Sequence, residues 1–311
     1  MSKSLILVPA GLPAKDPENL VPSDCDGFKE VSSSLGEGTI SQAISVCHGE
    51  FGRAALYRLD KPFVTHAHRE GHLIFYIDGG RALTRVSDRA FRCGPDFGIA
   101  INPWEPHSFE PMEEACLCLV LYIKPTWFLD HSVSVEFALS FGSSQIRVTP
   151  SLSNLRQRLT GLLLDDGGRQ QFDALLYNMT RISFDQSWQD HGQRLVDRTS
   201  SHFCDFRVRK SLRLIRDHLT EDFEMEQYAK EAGLSRPHFF KLFKKQMGIT
   251  PNVYQNTLRS EQAIEDLLST SKSITEIGYD LGFSSQASFT RFFTSNVGIS
   301  PSEYRRVSQT A

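Results

Sequence analysis

The sequence predicts an α+β chain: a small antiparallel β-barrel leads, amphipathic helices follow, and an all-helical C-terminal domain closes the chain. Three observations predict it. Short apolar runs separated by Gly/Pro turns fill residues 40–124. After residue 150 the apolar period changes from two to about 3.6. In the last hundred residues one helical segment occurs twice, fifty residues apart. At 311 residues the chain exceeds one average domain, and its 40% hydrophobic content is ample for globular cores.

The elements follow in order. Residues 1–38, rich in Pro, Gly, Ser and Asp, read as an N-terminal extension. Over 39–125 the runs Gly52–Leu59, His72–Ile77, Phe97–Ile101 and Ala115–Ile123 read as strands. The turn signals between them are Asp78-Gly-Gly, Cys93-Gly-Pro-Asp and Asn102-Pro-Trp-Glu-Pro, which argues for an antiparallel barrel or sandwich. Over 126–188, Leu152, Leu155, Leu159, Leu162 and Leu163 share one helical face, and Phe172, Leu175, Leu176, Met179 and Ile182 continue the pattern. Two such helices cap the barrel or pair with a second copy of the chain. Residues 189–204 are polar and read as a linker, and 205–311 is wholly helical.

The repeat carries the functional information. Ser235–Pro251 recurs as Ser285–Pro301, with Phe239/Phe289, Phe243/Phe293, Gly248/Gly298, Ile249/Ile299 and Lys241/Arg291 in register. Each copy follows a short amphipathic helix (Met225, Tyr228, Ala229, Ala232; then Ile274, Ile277, Gly278, Leu281) and a glycine turn at Gly233 or Gly282. Ser235 and Ser285 are N-cap residue types. Helix, short glycine turn, second helix is the helix-turn-helix layout, here at about 224–247 and 273–296. A plain helical bundle with a solvated face has no need of cap, glycine and basic residue in register twice. Between the units Thr250–Leu268 reads as one long helix.

On each second helix one face is apolar and the other carries side chains able to meet base edges: Arg236, Phe240 and Lys241, then Gln286, Thr290 and Arg291. Lys244 and Lys245, at the far end of the first, suit phosphates. The whole chain carries net charge −3, but 205–311 holds fifteen Lys/Arg against thirteen Asp/Glu while 1–204 holds nineteen against twenty-four. Affinity for an anionic polymer must therefore come from local placement of charge.

Residues 207–306 resemble the DNA-binding region of the AraC/XylS family of bacterial transcription regulators. The second unit, Ile274–Phe293 with Gly298-Ile-Ser-Pro-Ser-Glu-Tyr-Arg305, is the most specific part. The resemblance implies base-reading roles for Arg236, Pro237, Phe240, Lys241, Gln286, Ala287, Thr290 and Arg291. Phosphate contacts are expected from Ser235, His238, Lys244, Lys245, Ser285 and Ser288. Phe240 departs from the family's polar pattern: it either touches a thymine methyl or is buried.

The β region resembles the cupin-like effector domain common in that family. His66-Ala-His68 directs two imidazoles to one face of a strand end, and His72 and His107 lie within reach of them. In metal-binding cupins a comparable HxH, an acid and a later His hold a divalent ion; here His72 stands where the acid is expected, and Glu70 is two residues early. His66, His68, His72, His107 and Trp104 are therefore candidates for an effector pocket, and the four histidines for a metal. Arg53 and Arg58, on an apolar strand, either pair with an anionic ligand or face solvent.

The six cysteines (25, 47, 93, 116, 118, 204) form no CxxC pair and read as reduced packing residues of a cytosolic protein. No apolar run reaches about 18 residues, so no membrane helix is expected. The sequence contains no GxSxG, P-loop or GxGxxG. The expected molecule is an effector-responsive, sequence-specific transcription activator. It needs no cofactor and is not an enzyme. Its expected partners are double-stranded DNA, a small molecule, RNA polymerase and a second copy of itself, in a bacterial cytosol and nucleoid. The second reading is a metal-dependent cupin enzyme or metal sensor fused to a DNA-binding region.

Overall fold

Strands β1 (Gln42–Gly49), β2 (Gly52–Leu59), β9 (Cys116–Ile123), β4 (Gly71–Gly79), β7 (Phe97–Ile101) and β10 (Gln145–Arg147) form, in that spatial order, a six-stranded antiparallel sheet. Strands β3 (Phe63–His66), β8 (His107–Pro111), β5 (Ala82–Val86) and β6 (Arg89–Cys93) form a second sheet of four. The computed structural model describes residues 41–311 except 113, 131–138, 166–168, 190–204, 222 and 309–311. The N-terminal extension expected over 1–38 lies outside the described residues, as do Cys25, Cys204 and the expected linker beyond Gln189. The antiparallel β domain is present as predicted, with its strands divided between two facing sheets rather than closed into one ring.

The large sheet is buried on both faces, which explains why its central strands read as near-continuous apolar runs. Along β9, Cys116, Cys118, Val120 and Tyr122 point into the space between the sheets, while Leu119, Leu121 and Ile123 point the other way. That outer face is covered by helices α1 (Pro125–Asp130), α2 (Pro150–Leu164) and α3 (Arg169–Gln189). Thr149 caps α2 by accepting from the Leu152 amide at 3.4 Å, and Pro150 opens its first turn. Leu152, Leu155, Leu159 and Leu163 of α2 and Phe172, Leu175, Leu176 and Met179 of α3 are buried against the sheet. The apolar stripes legible in the sequence are thus spent on the β domain itself.

The C-terminal domain contains α4 (Phe206–Asp217), α5 (Met225–Glu231), α6 (Arg236–Met247), α7 (Pro251–Ser269), α8 (Ile274–Asp280), α9 (Gln286–Val297) and α10 (Pro301–Ser308). Helices α5–α6 and α8–α9 are the two helix-turn-helix units, and α7 joins them. Its nineteen residues make a rod of about 28 Å at 1.5 Å per residue. Thr250 caps α7 through the Val253 amide at 3.3 Å. Phe239 and Phe243, and Phe289 and Phe293, are fully buried, each worth about 1.5–3 kcal/mol of transfer free energy.

The two units are held differently. The first builds its core with α4 and α7: Val208, Ile215, Tyr228, Phe239, Phe243, Tyr254 and Leu258. The second shares one continuous core with the interior of the β domain, so that Ile277, Phe289, Phe293, Ile299 and Tyr304 join Tyr57, Val120 and Tyr122.

Candidate nucleic-acid interface and effector cavity

The two recognition helices are capped differently. In the second unit Ser273 and Glu276 form a reciprocal capping box at the start of α8, and Ser285 and Ser288 form another at the start of α9. Gly278 lets α8 approach α9: a Cβ there would stand 3.0 Å from the Phe289 Cβ. In the first unit Glu224 and Gln227 box the start of α5, whereas Ser235 makes no side-chain cap to α6. Its hydroxyl is exposed and open to other partners.

The predicted reading residues lie on the outer faces. Arg236, Pro237, His238, Lys241, Lys244 and Lys245 are exposed on α6, and Gln286, Ala287 and Arg291 on α9. Thr290, Ser285 and Ser288 are half-buried. Phe240 is half-buried too: it leans on the first unit's core beside Phe239, and the Arg236 guanidinium lies 5.7 Å from its ring. Arg236 approaches Glu226 only at 4.0 Å, an exposed pair of little strength. Gln286 is steadied by Thr275, whose hydroxyl donates to its Oε1 at 2.8 Å.

Helices α7 and α10 are fastened to the β domain by polar contacts, and the second unit by the shared core. The Ala43 amide donates to Glu303 Oε1 at 2.9 Å. Arg53 Nη1 donates to the Tyr304 hydroxyl at 3.1 Å, and that hydroxyl lies 3.0 Å from His48 Nε2. Thr257 Oγ1 donates to the Ala67 carbonyl at 2.9 Å. Arg69 pairs with Glu261 at 2.7 Å, and Trp104 stacks on Tyr254 with ring centroids 5.1 Å apart.

A cavity of about 670 Å³ opens along this seam, lined among others by His48, Arg53, His68, Glu70, Lys124 and Glu261. Arg53 is its most distinctive group. It is buried, its guanidinium sits 3.7 Å from the Tyr122 ring centroid, and among the described residues no carboxylate pairs with it and its Nε has no hydrogen-bond partner. A buried cation without an anion is costly. Burial, reinforced by the charges of Arg53 and Lys124, lowers His48 to about 3, so this imidazole is neutral where its Nε2 meets the Tyr304 hydroxyl. Burial raises Glu261 to about 7 against the pull of Arg69.

The candidate histidines do come together. His66 stands opposite His107 in the β3–β8 register, and β4 brings His72 beside them. Ring centroids are 4.3 Å apart for His66–His107, 4.9 Å for His66–His68 and 4.5 Å for His72–His107. Burial lowers His66 to about 4 and holds His68, His72 and His107 well below the usual imidazole range, the neighbouring rings adding to the effect in each of those three. Only His66 and His68 reach the large cavity; His72 and His107 face inward between the sheets.

Trp104 does not line the large cavity; it serves the seam through Tyr254. Arg53, left open in the sequence between ligand pairing and solvent, is buried at the cavity wall. His48 and Lys124 had no signal of their own in the sequence, and Glu303 and Tyr304 stood out only as part of the motif Gly298–Arg305. The one hint of the seam was the two arginines, Arg53 and Arg58, inside the apolar run Gly52–Leu59. The described cysteines 93, 116 and 118 are free thiols.

Two recognition helices on one rod, beside a β domain with a cavity at its mouth, define a DNA-binding protein with an attached ligand-binding domain. An AraC-like ligand binding domain matches residues 53–181, and a helix-turn-helix domain matches 228–307. The probable transcriptional regulator LumQ of Photobacterium leiognathi is 27% identical over 252 residues, 79% of this chain and 94% of LumQ. An HTH-type transcriptional regulator of Staphylococcus aureus is 23% identical over 76% of this chain, which spans only 31% of that relative. Among solved structures, ToxT of Vibrio cholerae matches with a TM-score of 0.51 and 16% identity over 83% of this chain and 98% of ToxT, a likeness of fold. The chain belongs to the AraC family of transcription regulators.

Proposed function

We propose that this chain is a sequence-specific transcription regulator whose DNA engagement is set by a small-molecule effector in the seam cavity. The observation that carries the reading is that the cavity and the docking contacts share residues. Arg53 and His48 line the cavity, and the same two side chains hold Tyr304 of the C-terminal domain. A ligand that recruits Arg53 changes the grip on the second helix-turn-helix unit, which is the differential affinity for two states that regulation requires. The unpaired Arg53 and nearby Lys124 favour a small molecule bearing an anionic group. ToxT, of the same fold, has been solved with an unsaturated fatty acid bound.

On DNA, Arg236, Pro237, Phe240 and Lys241 of α6 and Gln286, Ala287, Thr290 and Arg291 of α9 face the bases of successive major-groove segments, about 34 Å apart. The half-burial of Phe240 limits it to an apolar edge contact such as a thymine methyl. Ser235, His238, Lys244, Lys245, Ser285 and Ser288 take phosphates. The effect on transcription is activation, through contact with RNA polymerase at a promoter. Pairing with a second copy uses the outer faces of α2 and α3, because their inner faces are spent on the sheet. The protein works in the cytosol, on the nucleoid.

The test is selection of DNA bound by the full chain from a random pool, repeated with a panel of small organic acids. A single enriched site whose recovery changes with one of the acids is expected. Recovery of unselected sequence under every condition overturns the reading.

A further inference from the structure

Four imidazoles meet where β3, β4 and β8 converge, and their hydrogen-bonding pattern is specific. His66 Nδ1 lies 2.7 Å from the Val64 carbonyl, and His107 Nδ1 lies 2.8 Å from the Glu105 carbonyl. A carbonyl only accepts, so both Nδ1 atoms carry the proton and both Nε2 atoms present a lone pair. This is the way a backbone carbonyl fixes the tautomer and ring orientation of a ligating histidine. His107 Nε2, His68 Nε2 and His72 Nδ1 are buried with no hydrogen-bond partner among the described residues. One nitrogen from each of His66, His68 and His107 lies within 4.8 Å of the others, and His72 stands 4.5 Å from His107 and 5.2 Å from His68 by ring centroid. No acid hydrogen-bonds to any of the four among the described residues.

Buried polar atoms without partners are costly, and here several point at one another. The space between the sheets, against His66, His72 and His107, is about 30 Å³. It admits an ion or a water and excludes an organic effector. We infer that His66, His68 and His107, with His72 beside them, hold one divalent first-row transition metal ion at the inner edge of the seam cavity, which His66 and His68 also line. All-imidazole donors select zinc, nickel or cobalt over calcium and magnesium, which require oxygen ligands.

The site is tied to the C-terminal domain. Ala67, between two of the ligands, accepts from Thr257 of α7 at 2.9 Å. The His68 carbonyl accepts from the Trp104 amide at 2.7 Å, and Trp104 stacks on Tyr254 of the same helix. An ion that fixes the His66–His68 segment therefore stiffens the attachment of the helix joining the two units. That consequence rests on the regulator reading above; metal binding does not.

The experiment uses full-length protein dialysed against chelator and titrated with Zn²⁺ and, separately, with Co²⁺ followed by visible absorption. One equivalent of Zn²⁺ per chain and the absorption of Co²⁺ held by nitrogen ligands are expected. His107→Ala and His66→Gln, checked for folding by circular dichroism, should each weaken binding at least tenfold. His218→Ala, in the C-terminal domain and outside both the cluster and the seam cavity, should leave it unchanged. No stoichiometric binding, or binding indifferent to His107→Ala and His66→Gln, overturns the site and leaves the regulator reading intact. Stoichiometric binding with unaltered affinity for the selected DNA upholds the site and overturns its link to α7.

Discussion

The two helix-turn-helix units share a sequence plan, yet they differ in what they are fastened to. The first packs on α4 and α7 and touches the β domain through side contacts such as Ala67 and Trp104. The second is continuous with the β-domain core, and its following helix, α10, is clasped by Ala43, Arg53 and His48. Equivalent side chains therefore do unequal work. Phe243 closes a local core, whereas Phe293 closes a core common to reader and sensor. Arg236, Lys241, Gln286 and Arg291 are exposed in both units, so the proposed control by the β domain acts through the position of the second unit rather than by covering the proposed reading side chains.

The largest effect that can break this comparison comes from the paired phenylalanines. Phe243→Ala and Phe293→Ala should each cost about 3–5 kcal/mol. Hydrogen exchange should accelerate only across α4–α7 in Phe243→Ala, and across both the second unit and the β strands in Phe293→Ala. Equal patterns in the two variants would contradict the shared core. Next come the equivalent helix-ending glycines. Both are left-handed, with φ +75° at Gly248 and +97° at Gly298, but a Cβ at Gly298 would stand 2.5 Å from the Phe63 ring while Gly248 faces open space. Gly298→Ala should cost about 1–3 kcal/mol and Gly248→Ala about 1 kcal/mol in denaturant unfolding. A larger loss at Gly248 would refute the close approach of the β domain to α9.

A pH titration separates the units more gently. His48 titrates near 6.5 when undocked and near 3 when docked, so its contribution is complete above 6.5 and is lost as pH falls from there toward 3. The loss is at most about 1.4 kcal/mol per pH unit for one proton. The protection factors of the α10 amides, corrected for the intrinsic pH dependence of exchange, should fall between pH 7 and pH 5 in the wild type and less so in His48→Gln. Tighter docking at pH 5 would reverse the assignment. The smallest effect is expected at Lys244: its replacement by Ala should weaken all DNA sequences alike and flatten the salt dependence by about one charge.

Much of this architecture was legible in the chain. Periodicity, caps and glycine turns are local, and they marked α5–α6 and α8–α9 because each unit satisfies its own backbone within about twenty-five residues. The apolar run of β9 marked a strand, and its burial on both faces followed only from the helices and second sheet that cover it. What stayed hidden depends on long-range docking. Tyr304 meets Arg53 across 251 residues, and Glu303 meets Ala43 across 260. No pattern within one element encodes such a pairing. The histidines were visible as HxH and two further imidazoles, but their division between two cavities, with His72 and His107 turned inward, followed only from the register of β3, β4 and β8.

The central claim is that two unlike reading faces, held on one rod, recognise one asymmetric site. It is tested most directly by the DNA motifs selected by the wild type, Arg236→Ala and Arg291→Ala. A wild-type motif of two different segments about ten base pairs apart is predicted. Each variant should relax a single position in a different segment, at a cost of about 1–3 kcal/mol on the cognate site. A palindromic motif, or relaxation of the same position by both variants, would contradict the account.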